Sequence, residues 1–116
     1  MFEKLSLAIV GIGAWTDAES TVRPAMAPEM ASRLDAAGAT ADVCAIVFDA
    51  QGREIADGGL ADRSIAISSR QLRAVPEVIA VAGGARKAAA ILAVLRSGLI
   101  HRLITDVEAA ERLLSA

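Results

Sequence analysis

The sequence predicts an α/β fold, with a partial parallel sheet, flanking helices and a small β-hairpin excursion. Its second half alternates short apolar runs with helical segments, and brief connections of this kind are typical of right-handed crossovers between parallel strands. Hydrophobic residues make up 54% of the 116 residues, mainly Ala, Val, Ile and Leu. Small aliphatic side chains suit close contacts between helices and a sheet that is covered on both faces. The length fits one domain or part of one.

The first strand and the first helix are predicted from residues 5–12 and from Pro28 onward. Residues 5–12 are mostly β-forming and run into Gly11-Ile12-Gly13, which indicates a buried strand that enters a loop. Residues 14–27 show no clean period, so we expect a loop there. Pro28 suits the first turn of a helix and Gly38 suits its end. The apolar face of this helix is predicted to contain Met30, Leu34 and Ala37.

A hairpin is predicted in the middle of the chain. Val43 to Phe48 indicates one strand, Asp49-Ala50-Gln51-Gly52 has the composition of a hairpin turn, and a short return strand is expected over 53–56. Cys44 adjoins the apolar run and is predicted to be a small core residue. As the only cysteine it cannot form an intramolecular disulfide, which favours a reducing compartment.

Two strands and a short helix are predicted next. Residues 64–67 indicate a short strand, and the spacing of Ser68 and Gln71 predicts a capping box for a helix over Ser69 to Ala74. Val78 to Ala82 indicates a strand that is closed by two glycines.

The last elements complete a Rossmann-like layer. A helix is predicted from about Ala85 to Ser97, ended by Gly98, and a short strand at Leu103-Ile104. Thr105 and Glu108 are spaced as a capping box for a final helix through Leu114. The apolar face of the longer helix is predicted to contain Ala88, Ile91, Leu92 and Leu95.

Charge and hydropathy exclude several functions. The net charge of −2 gives this segment no electrostatic basis for binding nucleic acid. No apolar stretch approaches the roughly 18 residues needed to cross a bilayer, and the N-terminus lacks the pattern of a secretory signal. We therefore expect a cytoplasmic protein without membrane contact. P-loop, HExxH, CxxC and GxSxG motifs are missing from the sequence, and no cofactor or metal is predicted.

The segment Val81 to Lys87 is the strongest candidate for a binding site. A strand ends in Gly83-Gly84 and a helix opens immediately afterwards, so the backbone can approach a ligand closely and the first helical amides face it. Lys87 would lie in the first helical turn, where a cation opposes the helix dipole. A phosphate at this site would explain the lysine, and a tight turn with a solvated lysine is an equally good alternative.

Gly11-Ile12-Gly13 is a second candidate loop. Thr16 occupies the place of the third glycine of a dinucleotide fingerprint, so the nucleotide motif is incomplete. Gly11 and Gly13 remain credible as a close-approach loop, because ligands of open α/β sheets gather at the carboxyl ends of the strands.

The isolated polar residues carry weaker signals. By composition alone, Arg23 and Asp42 are surface charges. His101 has no partner at metal or triad spacing, so we expect it to be structural or exposed. Asp106 is explained by the dipole of the helix that follows it.

Taken together, these segments resemble the SorC/DeoR-type sugar-binding transcriptional regulators over almost the full chain. No single motif is diagnostic, but their order is specific. The motifs that carry the resemblance are LAIVGIGA from Leu7, AGATADV from Ala37, FDAQG from Phe48, LADRSIAI from Leu60, VPEVIAVAGGARK from Val75 and LITD from Leu103.

The resemblance implies a fold similar to sugar-phosphate isomerases and glucosamine-6-phosphate deaminase, and a role in sensing a phosphorylated sugar. It implies that Lys87 meets the effector, that Arg23 faces the ligand and that Asp42 accepts from sugar hydroxyls. An arginine fork suits phosphate and a carboxylate suits hydroxyls. Ala41 departs from the family pattern, which has a glycine before the acidic residue.

The resemblance also implies a missing portion. Residues 1–116 correspond to the C-terminal part of the effector-binding domain, without the helix-turn-helix and the first half of that domain. We therefore expect that this chain cannot recognise operator DNA, and that it binds effector weakly or not at all. Homo-oligomers are expected, since half a sheet leaves an apolar edge.

Three functions remain open from the sequence. The leading hypothesis is the effector-sensing module of a bacterial transcriptional regulator, with Gly11, Gly13, Arg23, Asp42, Gly83, Gly84 and Lys87 at the site and no catalytic residue. An isomerase-like enzyme fragment would need a general base, and only Asp42, Asp106 and His101 are available. The third hypothesis is a free-standing dimerisation module.

Overall fold

The structure, a computed structural model, describes residues 5–15, 27–55 and 68–115. The strand predicted over 64–67 and most of the loop predicted over 14–27 lie outside this part of the chain. In chain order the elements are β1 (Leu7–Gly11), β2 (Gly13–Ala14), α1 (Pro28–Ala36), β3 (Ala39–Val43), β4 (Ile46–Asp49), α2 (Ser69–Arg73), β5 (Glu77–Val81), a 3₁₀ turn (Ala85–Lys87), α3 (Ala88–Ser97), β6 (Arg102–Ile104) and α4 (Val107–Leu114).

A parallel sheet of three strands confirms the predicted α/β fold. Its strand order is β1-β5-β6, so β5 is central. Ile9 of β1 pairs with Ile79 of β5, and Ala80 of β5 pairs with Leu103 of β6. The sequence predicted all three strands to within two residues, because each is a short apolar run closed by glycine or a helix cap.

A second, antiparallel sheet has the order β2-β3-β4 and corrects the predicted hairpin. Val43 to Phe48 is not one strand, because the chain reverses at Cys44-Ala45 between β3 and β4. Both turn residues have positive φ, 50° at Cys44 and 67° at Ala45, as a tight two-residue hairpin requires. Neither is Gly, Asn or Asp, the residues that usually mark such a turn, so the turn could not be predicted from the sequence. Cys44 is exposed at its tip and is not a core residue.

The turn predicted at Asp49 to Gly52 is confirmed. The Asp49 carboxylate accepts from the backbone N–H groups of Gln51 and Arg53, both at 2.9 Å. These hydrogen bonds, that of Arg53 above all, hold the pKa of Asp49 below its ordinary value. Gly52 has a φ of 84°, and over its described residues, 53–55, the predicted return strand is a single bridge between Phe48 and Glu54.

Helix α1 begins at Pro28 and ends before Gly38, whose φ is 87°, as predicted. Met30 and Leu34 are buried, but Ala37 is exposed because the helix has already ended at Ala36. The buried face packs against a small cluster whose largest member is the fully buried Trp15.

Helix α3 packs closely against the antiparallel sheet, and the residues that it buries correct its predicted apolar face. One continuous core joins residues of the parallel sheet, of α3 and of the antiparallel sheet. The side chains of α3 that are buried are Ala90, Ile91, Ala93 and Val94, whereas Leu95 is 40% exposed. Of the predicted face, only Ile91 is fully buried, and the other buried positions are taken by Ala90, Ala93 and Val94.

The two predicted capping boxes have different outcomes. At α2, the Ser68 hydroxyl accepts from the N–H of Gln71, and the Gln71 side chain accepts from the N–H of Ser68, as predicted. At α4, the cap is Asp106 rather than Thr105, and the buried Thr105 hydroxyl has no hydrogen-bond partner among the described residues. The Asp106 carboxylate can accept from two backbone N–H groups at once, those of Gly84 and Ala109, which favours it as the cap.

One face of the parallel sheet is apolar and exposed. Alternate side chains point away from the core there, and the most exposed are Leu7, Ile9, Val81 and Ile104, at 45%, 68%, 47% and 58%. Parallel sheets are normally covered on both faces. Within the described part of the chain, no helix is long and apolar enough to span a membrane.

Candidate functional site

The two glycine segments predicted from the sequence leave the parallel sheet at the same edge. β1 and β5 are parallel neighbours, and their last residues, Gly11 and Val81, are paired. The segments that follow, Gly11 to Gly13 and Ala82 to Gly84, therefore start side by side at the carboxyl ends of the strands, which we call the carboxyl edge. Ligands of open α/β sheets gather at such an edge.

The turn after β5 places Lys87 close to this edge. Gly84 has a φ of 98°, a conformation that disfavours any side chain. The chain then forms the 3₁₀ turn Ala85–Lys87, in which the Lys87 N–H donates to the Gly84 carbonyl over 3.0 Å. Lys87 is half-buried and immediately precedes α3, so the lysine predicted in the first α-helical turn lies one step earlier. Cα atoms of this turn and of β2 approach within 8 Å.

Asp106 occupies part of the same turn. One carboxylate oxygen accepts from the Gly84 N–H at 2.7 Å, and the other accepts from the Ala109 N–H at 2.9 Å in the first turn of α4. The helix dipole alone, which the sequence suggested, is thus an incomplete explanation of this residue. The contact between Asp106 and Gly84 could have been predicted from topology. β5 and β6 are parallel neighbours, so the residues just after each strand meet at one edge.

Asp42 lies across from the first glycine segment. It is paired with Gly13 between β3 and β2. The side chain is only 5% exposed, so the surface position suggested by composition is wrong. A Cβ atom at Gly13 would lie 2.6 Å from the Asp42 carboxylate, which shows that the absent side chain at Gly13 makes room for this carboxylate.

The four glycines of the edge divide into two kinds. The space beside Gly13 is filled by Asp42, and the space beside Gly83 is filled by the Asp106 carboxylate, 2.7 Å from where a Cβ would be. Apart from its chain neighbours, no atom of the described residues lies within 4 Å of a Cβ built on Gly11 or on Gly84. Within the described part of the chain, Gly11 and Gly84 are therefore the two glycines of the edge that leave space beside the backbone.

Trp15 anchors the chain where it leaves the edge. Its indole N–H donates to the Asp35 carboxylate over 2.6 Å, and its backbone N–H donates to the Thr40 carbonyl over 3.0 Å. These bonds tie the segment after β2 to α1 and β3. Arg23, the remaining predicted site residue, lies outside the described residues.

Two of the three candidate general bases, His101 and Asp106, make structural hydrogen bonds to the backbone. The His101 Nδ1 accepts from the Val78 N–H at 2.9 Å, which extends the pairing of β5 and β6 by one side chain. Asp106 accepts from two amides. Although Cys44 is exposed at the tip of its turn, nearby protein atoms desolvate the thiol and raise its pKa, and the Asp42 carboxylate raises it further, so this thiol is a poor nucleophile at neutral pH. Over the described residues, no cluster of three or more His, Cys, Asp or Glu could hold a metal ion.

Comparison with known proteins defines the class. A family described as "Putative sugar-binding domain" matches residues 1–115. The transcriptional regulator LsrR of Escherichia coli is 35% identical over 77 residues, which is 66% of this chain and 24% of LsrR. A transcriptional regulator from Streptococcus pneumoniae superposes with a TM-score of 0.86 at 31% identity, over 98% of this chain and 44% of its own. The full-length sorbitol operon regulator SorC from Klebsiella pneumoniae gives 0.85 at 27%, over 97% and 37%.

The fold and these matches define a ligand-binding domain whose homologues are transcriptional regulators and not enzymes. The chain belongs to the sugar-binding domain family of SorC/DeoR-type bacterial transcriptional regulators. It spans about a quarter of LsrR and less than half of the solved regulators.

Proposed function

We propose that the chain contributes the effector-sensing site of a bacterial transcriptional regulator, and that the effector is a phosphorylated sugar bound at the carboxyl edge. The observation that carries the proposal is the meeting, at one edge, of two open glycines, Gly11 and Gly84, with the half-buried Lys87 and the buried Asp42. The regulators to which the chain is similar support a sensing role over catalysis.

The chemistry of these groups matches the two ends of a sugar phosphate. An ammonium group and the amides of a turn can neutralise and bind phosphate, whereas a carboxylate accepts hydrogen bonds from sugar hydroxyls. We assign Lys87 and the Gly83-Gly84 turn to the phosphate and Asp42 to the hydroxyls. Arg23 is proposed as a further ligand-facing group, on the resemblance alone.

Regulation requires that the ligand distinguish two states of the whole protein. Effector binding would shift the equilibrium between two assemblies only if its affinity differs between them. Operator contact would be made by a helix-turn-helix elsewhere in such a regulator, as the resemblance implies. This segment has a net charge of −2 and therefore no electrostatic basis for binding DNA. A regulator of this kind acts in the cytoplasm.

The test is a titration of the isotope-labelled chain with hexose and pentose phosphates, each matched with its unphosphorylated sugar, followed by amide chemical shifts. We expect weak binding of the phosphorylated sugars, with shifts at Gly13, Gly84 and Lys87. Lys87→Ala should weaken binding on the order of tenfold or more, since it removes a charged hydrogen-bond donor. Arg86→Ala, in the same turn but exposed, is the matched control and should have no such effect.

Three outcomes would contradict this assignment. One is equal response to phosphorylated and unphosphorylated sugars, and another is an equal loss of affinity in the Lys87 and Arg86 variants. The third is that a phosphorylated sugar binds and shifts none of the three amides. A millimolar or lower dissociation constant for a sugar phosphate would contradict only the expectation that this segment lacks part of the site.

A second candidate function, self-association, is favoured by the exposed apolar face of the parallel sheet. Ile9 is 68% exposed on β1, a strand at the edge of the sheet. Sedimentation over a range of concentrations should show association that Ile9→Lys abolishes. Leu114→Lys is the control, because Leu114 is even more exposed, at 88%, but lies on α4. Equal effects of the two variants would rule out the sheet face as the interface.

A further inference from the structure

We propose that Asp106 is a positioning residue of the effector site, a carboxylate that fixes the turn Gly83 to Lys87 by bridging it to helix α4. The inference rests on the proposed function, because it gives this turn a ligand to contact. Asp106 acts on the ligand only through the turn.

Both oxygens of the carboxylate are used, each on a different element. The Gly84 N–H donates to Oδ2 over 2.7 Å, across 22 residues of sequence, and the Ala109 N–H donates to Oδ1 over 2.9 Å. Gly83 provides the space, since a Cβ atom there would lie 2.7 Å from Oδ2. The Asp106 carboxylate thus occupies space in the turn that the side chain of any other residue at position 83 would take.

Without this bridge, the Gly84 N–H would lose the hydrogen bond that ties the turn to α4. Gly84 adopts a φ of 98°, and glycine populates many conformations about equally, so the fold must select this one. A ligand that has to order a loop loses part of its binding free energy in doing so. Asp106 performs that ordering before the ligand arrives, which preorganises the Lys87 backbone as well.

Charge repulsion and positioning predict opposite changes in phosphate affinity when Asp106 is neutralised. A carboxylate close to the turn repels an anionic ligand, so charge alone predicts that neutralising Asp106 tightens phosphate binding. Positioning predicts the opposite. The direction of the change therefore separates a residue that organises the turn from one that is merely near it.

Helix capping is the competing structural explanation, and one substitution separates it. Asn caps helices as well as Asp does. Asp106→Asn therefore keeps an oxygen for the Ala109 N–H but places an NH₂ group, which cannot accept a hydrogen bond, against Gly84. Asp106→Ala removes both bonds. Glu108→Ala removes a carboxylate from the same first turn of α4, and is the matched control for charge and helix dipole.

The experiment compares these three variants with the wild-type chain in three measurements: amide hydrogen exchange at Gly84 without ligand, titration with inorganic phosphate, and urea unfolding. For Asp106→Asn we expect Gly84 exchange to rise on the order of tenfold or more and phosphate binding to weaken by about tenfold, with an unfolding midpoint near that of the wild type. Asp106→Ala should show both effects and a lower midpoint, and Glu108→Ala should show neither of the first two.

Unchanged Gly84 exchange in Asp106→Asn, or tighter phosphate binding, overturns the proposal. If a phosphorylated sugar binds the wild type without shifting the Gly84 and Lys87 amides, the proposed function is wrong, and the inference fails as a statement about an effector site. Faster Gly84 exchange in Asp106→Asn would then still show that the carboxylate holds the turn. Failure of the inference with intact phosphate binding leaves the proposed function standing.

Discussion

Replacing Gly52 by Ala should destabilise the fold far more than replacing Gly38 by Ala. Both glycines have nearly the same positive φ, 84° and 87°. Gly52 is buried at the turn that packs against the C-terminal end of α3, whereas Gly38 is exposed after α1. The pair therefore separates the cost of backbone conformation from the cost of close packing.

The magnitudes follow from what a Cβ atom would meet. At Gly38 the Cβ would meet no atom of the other described residues within 4 Å beyond the chain neighbours, so only the left-handed conformation is penalised, by about 1–2 kcal/mol. At Gly52 the Cβ would collide with the Ser97 amide nitrogen and would lie 2.6 Å from the Arg96 carbonyl carbon and 2.8 Å from the Ala93 carbonyl oxygen. These atoms are helix backbone and cannot rotate away. Overpacking adds about 1–3 kcal/mol, so the total is about 2–5 kcal/mol.

The assay is urea unfolding followed by the fluorescence of Trp15, the only tryptophan and fully buried. Domains of this size are stable by about 5–15 kcal/mol, so both losses are measurable. The difference between the two variants, and not either value alone, measures the packing of the turn on α3. Equal free energies of unfolding for the two variants would show that this packing is absent.

Three further predictions concern single side chains. His101→Ala should cost about 1–3 kcal/mol in urea unfolding because the Val78 N–H loses its acceptor, and His101→Asn should restore part of this; an Asn variant no better than Ala would contradict the assigned bond. The pKa of Asp49 is lower in the folded chain than its ordinary value of 3.8, so its carboxylate stabilises the fold above about pH 4 and this contribution disappears as pH falls through the folded pKa. Asp49→Asn should therefore flatten the acid limb of the stability profile, and an unchanged limb would refute the linkage. Ala45→Gly should stabilise the chain by about 1 kcal/mol, since Ala45 has a φ of 67°, while a loss of stability would show that Ala45 packs usefully at the turn.

The sequence predicted the parallel sheet well because its strands are signalled locally. β5 is an apolar run that ends in Gly83-Gly84, and β1 is an apolar run that ends in Gly11-Ile12-Gly13. The antiparallel sheet was predicted poorly, because Cys44 and Ala45 carry positive φ without the residues that usually announce it. Tertiary pairing of β3 with β4 stabilises that turn, and local propensity does not.

The candidate site was predicted in part for a related reason. That Gly11, Gly13, Gly83, Gly84 and Lys87 share one region follows from parallel topology, which the sequence does show. Burial of Asp42 and the bridge made by Asp106 depend on which residues lie opposite Gly13 and Gly83, and this is a matter of register. A pattern of residue types along one segment carries no information about the register between two.

The stretch from Leu7 to Ala14 passes from one sheet into the other with only Ile12 between its two sets of partners. An added residue after Ile12 would leave Gly11 opposite Val81 but would put a different residue opposite Asp42. The number of residues between Gly11 and Gly13 is thus fixed by the pairing of each with its own sheet. At the surface turn Cys44-Ala45, by contrast, an insertion would fall outside the sheet. Natural variants should accordingly differ in length at the surface turn and keep the spacing between Gly11 and Gly13 constant.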